Sequence, residues 1–592
     1  MQVCQYLWQT FLFSSFLKNT LKLLFAITLF ISLQAPGQQT EFEKSGGTKT
    51  ATYFEAIAFY KNLAKTSKKI LVKEMGTTDA GYPLHLVMIS NDGKFNPQGW
   101  HQQHKVVLMI NNGIHPGEPD GIDASMMLAR DILNKKITLP NNVALAIIPV
   151  YNIGGALNRN SFSRANQNGP KSYGFRGNAE NLDLNRDFIK SDSRNAKSFA
   201  TIFHYLEPDI FMDNHVSDGA DYQHVMTLIT TQYEKLGGEL GQWLKKIFDP
   251  ALYEGMHQKG WDMVPYVNVE GNDPSAGFTQ FYDSPRYSSG YAALFNTISF
   301  IPETHMLKPY KQRVQSTYDL MLTMIQQASI HENDLITLRR KAIENTIHKN
   351  EFPLSWQVDT SKYDMITFKG YEAGEKISDA TGLPVLFYDH NKPFTKKIKF
   401  YDIYTPGNIV QKPKAYVIPQ GWWSVIDLLK LNHVKMKQFS ADTTIEVSVY
   451  HIDDYKSYPK PYEKHHKNFG VTVSKKTATI KFLKGDYIIY LNQIANRYLM
   501  ETLEPTGDDG FFTWNFFDAI LQEKEYYSAY RWDSLAVQVL KKDDELRKTF
   551  LQKKSTDASF AKSAEMQYDF IYKHSPWYEP EHLRYPVFRI EK

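Results

Sequence analysis

Through the first half of the chain, short apolar runs alternate with segments of helical period. Val106–Ile110 is an apolar run rich in β-branched residues, stopped by Asn111-Asn112-Gly113. Pro119–Leu133 follows, with Ile122, Met126, Ala129 and Leu133 on one helical face. Val143–Val150 reads as a second buried strand, Ile210–Met212 as part of a third and Thr297–Ile301 as another. This alternation predicts an α/β fold: a mostly parallel or mixed central sheet with helices on both faces. Ligand sites in such sheets lie in the crevice beyond the carboxyl ends of the strands.

Residues 308 to about 347 look helical and polar, which sets one domain at 50–347. From about 353 the pattern changes to strand-like runs, among them Tyr416–Ile418, Ile445–Tyr450, Val471–Val473 and Tyr487–Leu491, separated by Lys, Pro and Gly. This predicts a β-rich accessory domain over 353–514 and a helical, charged C-terminal region over 515–592 packed on it. At the other end, Lys18 and Lys22 precede an apolar run, Leu23–Leu33, and Ala35-Pro36-Gly37 places small residues before a cut ahead of Gln38. That order is the pattern of a secretory signal peptide over 1–37. The run is too short for a permanent membrane span, so the mature chain is expected to be exported, periplasmic or extracellular; a retained anchor over residues 5–33, which would put Lys18 and Lys22 in mid-membrane, is the alternative.

Composition narrows the chemistry. At 592 residues the chain exceeds a single hydrophobic core, and 42% apolar with 22% charged residues suits a soluble globular protein. A formal net charge of +4 over this length gives no general electrostatic reason to bind nucleic acid. Cys4 is the only cysteine, which excludes disulfides, zinc ribbons, iron–sulfur clusters and a cysteine nucleophile. Any metal site must therefore use His, Asp and Glu.

Four segments carry candidate chemistry. In Gly113-Ile114-His115-Pro116-Gly117-Glu118, a His and a Glu three apart can face one zinc ion. Alone, such a pair is more often a capping Glu beside a surface His, but this one lies between a strand and a helix, where Gly113 and Gly117 allow a sharp turn. Arg176-Gly177-Asn178-Ala179-Glu180-Asn181-Leu182-Asp183-Leu184-Asn185-Arg186-Asp187 packs charge and amides around little apolar content; it reads either as a solvated loop or as a group that orients a His and grips a carboxylate. His215 closes the run Ile210–Met212, and Glu303 follows Ile298-Ser299-Phe300-Ile301-Pro302.

In this order the four segments resemble the zinc metallocarboxypeptidase (carboxypeptidase A-like) family over roughly residues 50–330. The resemblance implies one zinc per chain, with His115, Glu118 and His215 as its ligands and one position left for water. It implies that Asp183 hydrogen-bonds the first ligand histidine and that Arg176 polarises the scissile carbonyl. Asn185 and Arg186 would hold the substrate's terminal carboxylate, and Glu303 would be the general base. The implied substrate is a peptide with a free C-terminal carboxylate; a related zinc amidase or endopeptidase acting on cell-wall peptides or acylated amino acids is the alternative.

The match is incomplete in three places. The family's Asn-Pro-Asp-Gly turn reads Asn152-Ile153-Gly154-Gly155 here, and Val216 stands where a Ser commonly follows the third ligand. The tyrosine that caps bound substrate has three candidates, Tyr282, Tyr287 and Tyr291, of which Tyr282 best fits the separation from Glu303; Arg286 is a candidate to supplement the carboxylate grip. Elsewhere, His451, His465 and His466 read as solvated surface and Trp422-Trp423 as core or interface.

Overall fold

The computed structural model describes residues 38–269, 271 and 273–591. The signal peptide expected over 1–37 lies outside the described residues. Ten strands concern the site: β1 Ile70–Thr77, β2 Pro83–Ile89, β3 Val106–Asn111, β4 Val143–Ile148, β5 Ile210–Asp213, β6 His215–Ser217, β7 Met226–Thr230, β8 Val264–Pro265, β9 Phe278–Thr279 and β10 Ile298–His305. All but β9 form one sheet of order β1-β2-β4-β3-β5-β10-β7-β8, with β6 also pairing β10. The centre is parallel (β4, β3, β5, β10), and antiparallel pairs flank it at β1–β2, β2–β4 and β10–β7. The sheet is mixed, within the expected class.

Every residue of β3 and β4 is buried. Alternation along β3 sends Val106, Leu108 and Ile110 to one face and Val107 and Met109 to the other. The first face is covered by helices Tyr53–Thr66, Asp120–Leu133 and Tyr310–Ile330. The last of these lies in the segment read as polar, yet Val314, Leu320, Met321, Met324 and Ile325 are buried along it. Its apolar residues recur at helical spacing among polar ones, so average polarity hid a core-facing stripe.

The second face shares its core with the C-terminal half. Met88, Val107, Phe199 and Phe211 belong to one apolar cluster with Tyr416, Val425, Leu499 and Phe511. The change of pattern near residue 350 therefore marks a boundary in the chain that is not a boundary in the core. The N-terminal stretch 38–50 is also built in: Thr40 and Glu43 form a capping box, and Phe42 packs edge-on against Tyr310 at 5.6 Å.

In the C-terminal half the chain forms a six-stranded sheet that includes Ala415–Ile418, Thr443–Ser457, Asn468–Phe482 and Tyr487–Tyr490. A long hairpin, Asp364–Ile377 with Pro384–Tyr401, precedes it in sequence and forms a separate sheet in which Pro384–Tyr401 pairs with β9. Helices between 529 and 573 close around Trp532, Phe550, Phe560 and Tyr572. The chain then returns as strand Phe588–Ile590, pairing with both Ala415–Ile418 and Thr443–Ser457. No helix among the described residues is long and apolar enough to cross a membrane.

Candidate active site

His115 and Glu118 lie in the turn that follows β3. Gly113 takes a positive φ of +66° there, and a Cβ on Gly117 would stand 3.0 Å from the Gly174 carbonyl oxygen, so both positions suit glycine. His215 opens β6, two residues beyond the end of β5. One ligand atom from each of His115, Glu118 and His215 lies within 4.8 Å of the others, and all three residues are buried. Glu118 Oε1 is 3.1 Å from His115 Nδ1 and its Oε2 is 3.2 Å from His215 Nδ1. His115 Nδ1 has no hydrogen-bond partner despite its burial.

The outward nitrogens are held by carboxylates. His115 Nε2–H donates to Asp183 Oδ1 at 2.9 Å and His215 Nε2–H to Asp213 Oδ2 at 3.2 Å, which leaves each Nδ1 lone pair facing inward. Asp213 is fixed in turn by Asn111, whose Nδ2 donates to Oδ1 at 2.9 Å. Two imidazoles and a carboxylate converging in this way are a donor set that suits zinc, and the unpartnered Nδ1 of His115 fits a ligand atom awaiting its ion. Burial opposes charge on Glu118, but the neighbouring His115 and Arg164 outweigh it and hold its carboxyl well below the usual range. Burial likewise opposes charge on Asp183, and there His115 and Arg176 prevail.

These groups border a cavity of about 190 Å³. Arg176, Asn185, Arg186 and Glu303 line it together with His115, Glu118 and His215, so seven of the eight residues to which the resemblance gives a definite role, all but Asp183, meet at one place. Arg176 binds Asp183 Oδ2 through Nε at 3.0 Å. The amide oxygen of Asn185 is buried without a partner. Burial pushes the Glu303 carboxyl up to about 8, with Glu118 and Asp218 adding to the shift and His215 opposing it. Asp183 stands one layer behind, bonded to His115 and Arg176.

Tyr282, expected to cap bound substrate, stands outside the cavity lining. Its hydroxyl donates to Asp508 Oδ2 at 3.0 Å and its ring stacks on Tyr404. Arg286 is taken up by Asp509 at 2.7 Å, and Tyr291 is fully buried with its hydroxyl on Asn432. Of the three tyrosines only Tyr287 lines the cavity, where its ring lies 4.7 Å beneath the Arg186 guanidinium. The residues that capture Tyr282 and Arg286 come from more than 200 positions further along the chain, so no local pattern announced them.

Several contributors had no signal in the sequence. Arg164 donates to Glu118 Oε1 at 2.8 Å from a polar loop. Ile229, Tyr266, Phe281 and Ile301 supply an apolar wall. Val216 holds Glu118 Oε2 with its backbone N–H at 3.0 Å, a contact that does not depend on its side chain. Asn152 donates to the backbone carbonyls of Ile114 and Arg176 at 3.2 and 2.9 Å, tying the two site loops together.

The geometry brings together one buried group, His115, Glu118 and His215, that could hold a metal ion. Residues 56–228 match the zinc carboxypeptidase family model. The chain carries a domain of that family and is a metallocarboxypeptidase-type hydrolase. It is 20% identical over 489 residues to carboxypeptidase 2 of Trichophyton rubrum, covering 79% of this chain and 84% of that protein. Carboxypeptidase 2 of Trichophyton tonsurans is 21% identical over 430 residues, 69% of this chain and 73% of that one. Among solved structures it is similar to carboxypeptidase A from Helicoverpa armigera, with TM-score 0.36, 17% identity, and 53% of this chain and 81% of that chain covered. A metallo-carboxypeptidase from Burkholderia cenocepacia gives TM-score 0.35 and 17% identity over 48% of this chain and 70% of that one.

Proposed function

We propose that the chain is an exported zinc carboxypeptidase that hydrolyses the last peptide bond of peptides with a free terminal carboxylate. The observation that carries this reading is that Asn185 and Arg186 share one cavity with His115, Glu118, His215 and Glu303. A zinc ion held by the tripod would supply Lewis acidity and a water whose pKa is lowered towards ~7.

The chain's own groups do the rest. Glu303 accepts the proton of the attacking water and delivers it to the leaving amine, a task that suits a carboxyl whose burial raises its proton affinity. Arg176, already aligned by Asp183, donates to the oxygen on which negative charge develops. Arg186 and Asn185 grip the terminal carboxylate and so fix which bond reaches Glu303. Asp183 and Asp213 hold the two imidazoles in the tautomer that leaves Nδ1 free.

The test compares free and carboxyl-amidated peptides for the parent protein and Arg186→Ala, before and after chelation with zinc add-back. The parent should cleave free peptides far better, lose activity on chelation and regain it with zinc. Arg186→Ala should lose most of the preference while retaining metal. Equal cleavage of both peptides by the parent would replace exopeptidase action with the amidase or endopeptidase reading.

A further inference from the structure

The active-site cleft has a neighbour that the catalytic sheet does not supply. Strands Thr443–Ser457 and Asn468–Phe482 form a hairpin whose connecting loop, residues 458–467, reaches the segment carrying Asp183, Asn185 and Arg186. At its tip Tyr462 and His465 exchange backbone hydrogen bonds at 2.8 and 3.0 Å around Glu463 and Lys464. Both central residues have positive φ, +49° and +72°. A tight turn of this kind ordinarily uses Asn-Gly or Gly-Gly, so two full side chains are kept here in a strained backbone.

Four consecutive side chains of this turn contact residues 180–192. Tyr462 Oη accepts a hydrogen bond from Arg186 Nε at 2.9 Å. Glu463 Oε2 accepts the backbone N–H of Asp183 at 2.8 Å. Lys464 pairs with Glu180 at 2.9 Å, and His465 Nε2 with Asp192 at 2.8 Å. Tyr462 is itself stacked on Trp514, with ring planes 22° apart.

The consequence for Arg186 is geometric. Its Nε is taken by Tyr462, its Nη1 donates to the Asn185 carbonyl at 2.8 Å, and its face rests on Tyr287. Nη2 makes no hydrogen bond among the described residues, and Arg186 lines the cavity. A free arginine rotates among many rotamers, and orienting it costs entropy each time a carboxylate binds. Held on three sides, this one is oriented beforehand.

We propose that the turn Tyr462–His465 of the β-rich region is part of the peptidase's carboxylate-binding site. Tyr462 positions the Arg186 guanidinium, and Glu463 positions the Asp183–Arg186 segment. This rests on the reading of Arg186 as the carboxylate grip. Neither residue touches the reacting atoms; both are positioning residues.

The test uses the full chain as Tyr462→Phe, Glu463→Ala and Glu463→Gln beside Arg186→Ala, with metal content, KM and kcat measured on free and amidated peptides. Tyr462→Phe should raise KM for free peptides about 5–20-fold, with kcat changed less than about twofold. Amidated peptides and metal content should be unaffected. Glu463→Ala should shift KM the same way, while Glu463→Gln, whose amide oxygen still accepts the Asp183 N–H, should stay near the parent. If Arg186→Ala abolishes the preference for free peptides while Tyr462→Phe and Glu463→Ala leave KM unchanged, the proposal is overturned and the carboxylate reading stands. If Arg186→Ala leaves the preference intact, both are overturned.

Discussion

Glu303 and His215 are register partners on the adjacent parallel strands β10 and β6. Directly opposed residues in a ladder project to the same face, so the hydrogen bonds of the sheet set the distance from carboxylate to imidazole. Glu303 lies outside the stretch matched by the family model, 56–228. Strand pairing is what returns it to the tripod. In the proposed mechanism, base and metal ligand are thus positioned by backbone geometry rather than by flexible loops.

Asp213→Asn should weaken metal retention by about 10–100-fold, because the amide disturbs the proton and orientation of His215. His115→Ala, which removes a ligand outright, should lose the metal on dialysis. Competition with a chelator of known affinity measures both. Unchanged affinity in Asp213→Asn would show that the 3.2 Å contact to His215 Nε2 is incidental.

Glu303→Gln should keep the fold and the metal yet lose about 10²–10⁴-fold in turnover, the usual range for a general base. The acid limb of the kcat/KM profile should vanish with it. Burial, with the nearby Glu118 and Asp218 charges, pushes this carboxyl up to about 8, and a dication in the tripod would oppose that shift by Coulomb attraction. The limb should therefore fall below that pH in the zinc-loaded parent. A Glu303→Gln variant with parental turnover would remove the residue from the mechanism.

Stability should decline in acid through the seam between the two halves. His204 stacks on His433 and bonds Asn432, and burial lowers its pKa to about 4. An unfolded histidine titrates near 6.5, so between about 6.5 and 4 the unfolded chain binds more protons than the folded one. The stabilisation from keeping His204 neutral is full above that window and is lost as pH falls through it. From pH 7 to 5 the loss should reach up to about 2 kcal/mol. Urea midpoints at both pH values, for the parent and His204→Gln, give the readout: the parent's decline should be shallower in the variant.

A chain ending at His348 should not fold on its own. It would expose the face of the sheet formed by Met88, Val107, Met109 and Phe211, together with the aromatic residues of helix Arg194–Leu206. Burial is worth roughly 1.5–3 kcal/mol for each such side chain, which is a large share of the total stability of a domain. Soluble, cooperatively unfolding protein from this truncation would contradict the shared core.

Export should leave an amino terminus at or near Gln38, read by terminal sequencing of the secreted or periplasmic protein. The Gln38 carbonyl accepts a hydrogen bond from Arg130. A cell-associated product that begins at Met1 would contradict the leader.

The sequence by itself determined the residues near one another in the chain and the patterns with a short period. The helix after β3, the buried strands, the His115–Glu118 turn and the Asp183–Arg186 run were all legible, because hydrophobic periodicity and short motifs are local properties. The tertiary structure decided what depends on distant segments. Asn111 was brought across 102 residues to hold Asp213, the carboxylate that bonds His215. Tyr282 was lost to Asp508, and Tyr462 was brought to Arg186 across 276 residues. The two halves share one core although the chain changes character between them. Such contacts form between side chains far apart in sequence, where neither partner's neighbours carry any trace of the other, and only the folded arrangement of sheet, helix and hairpin selects them.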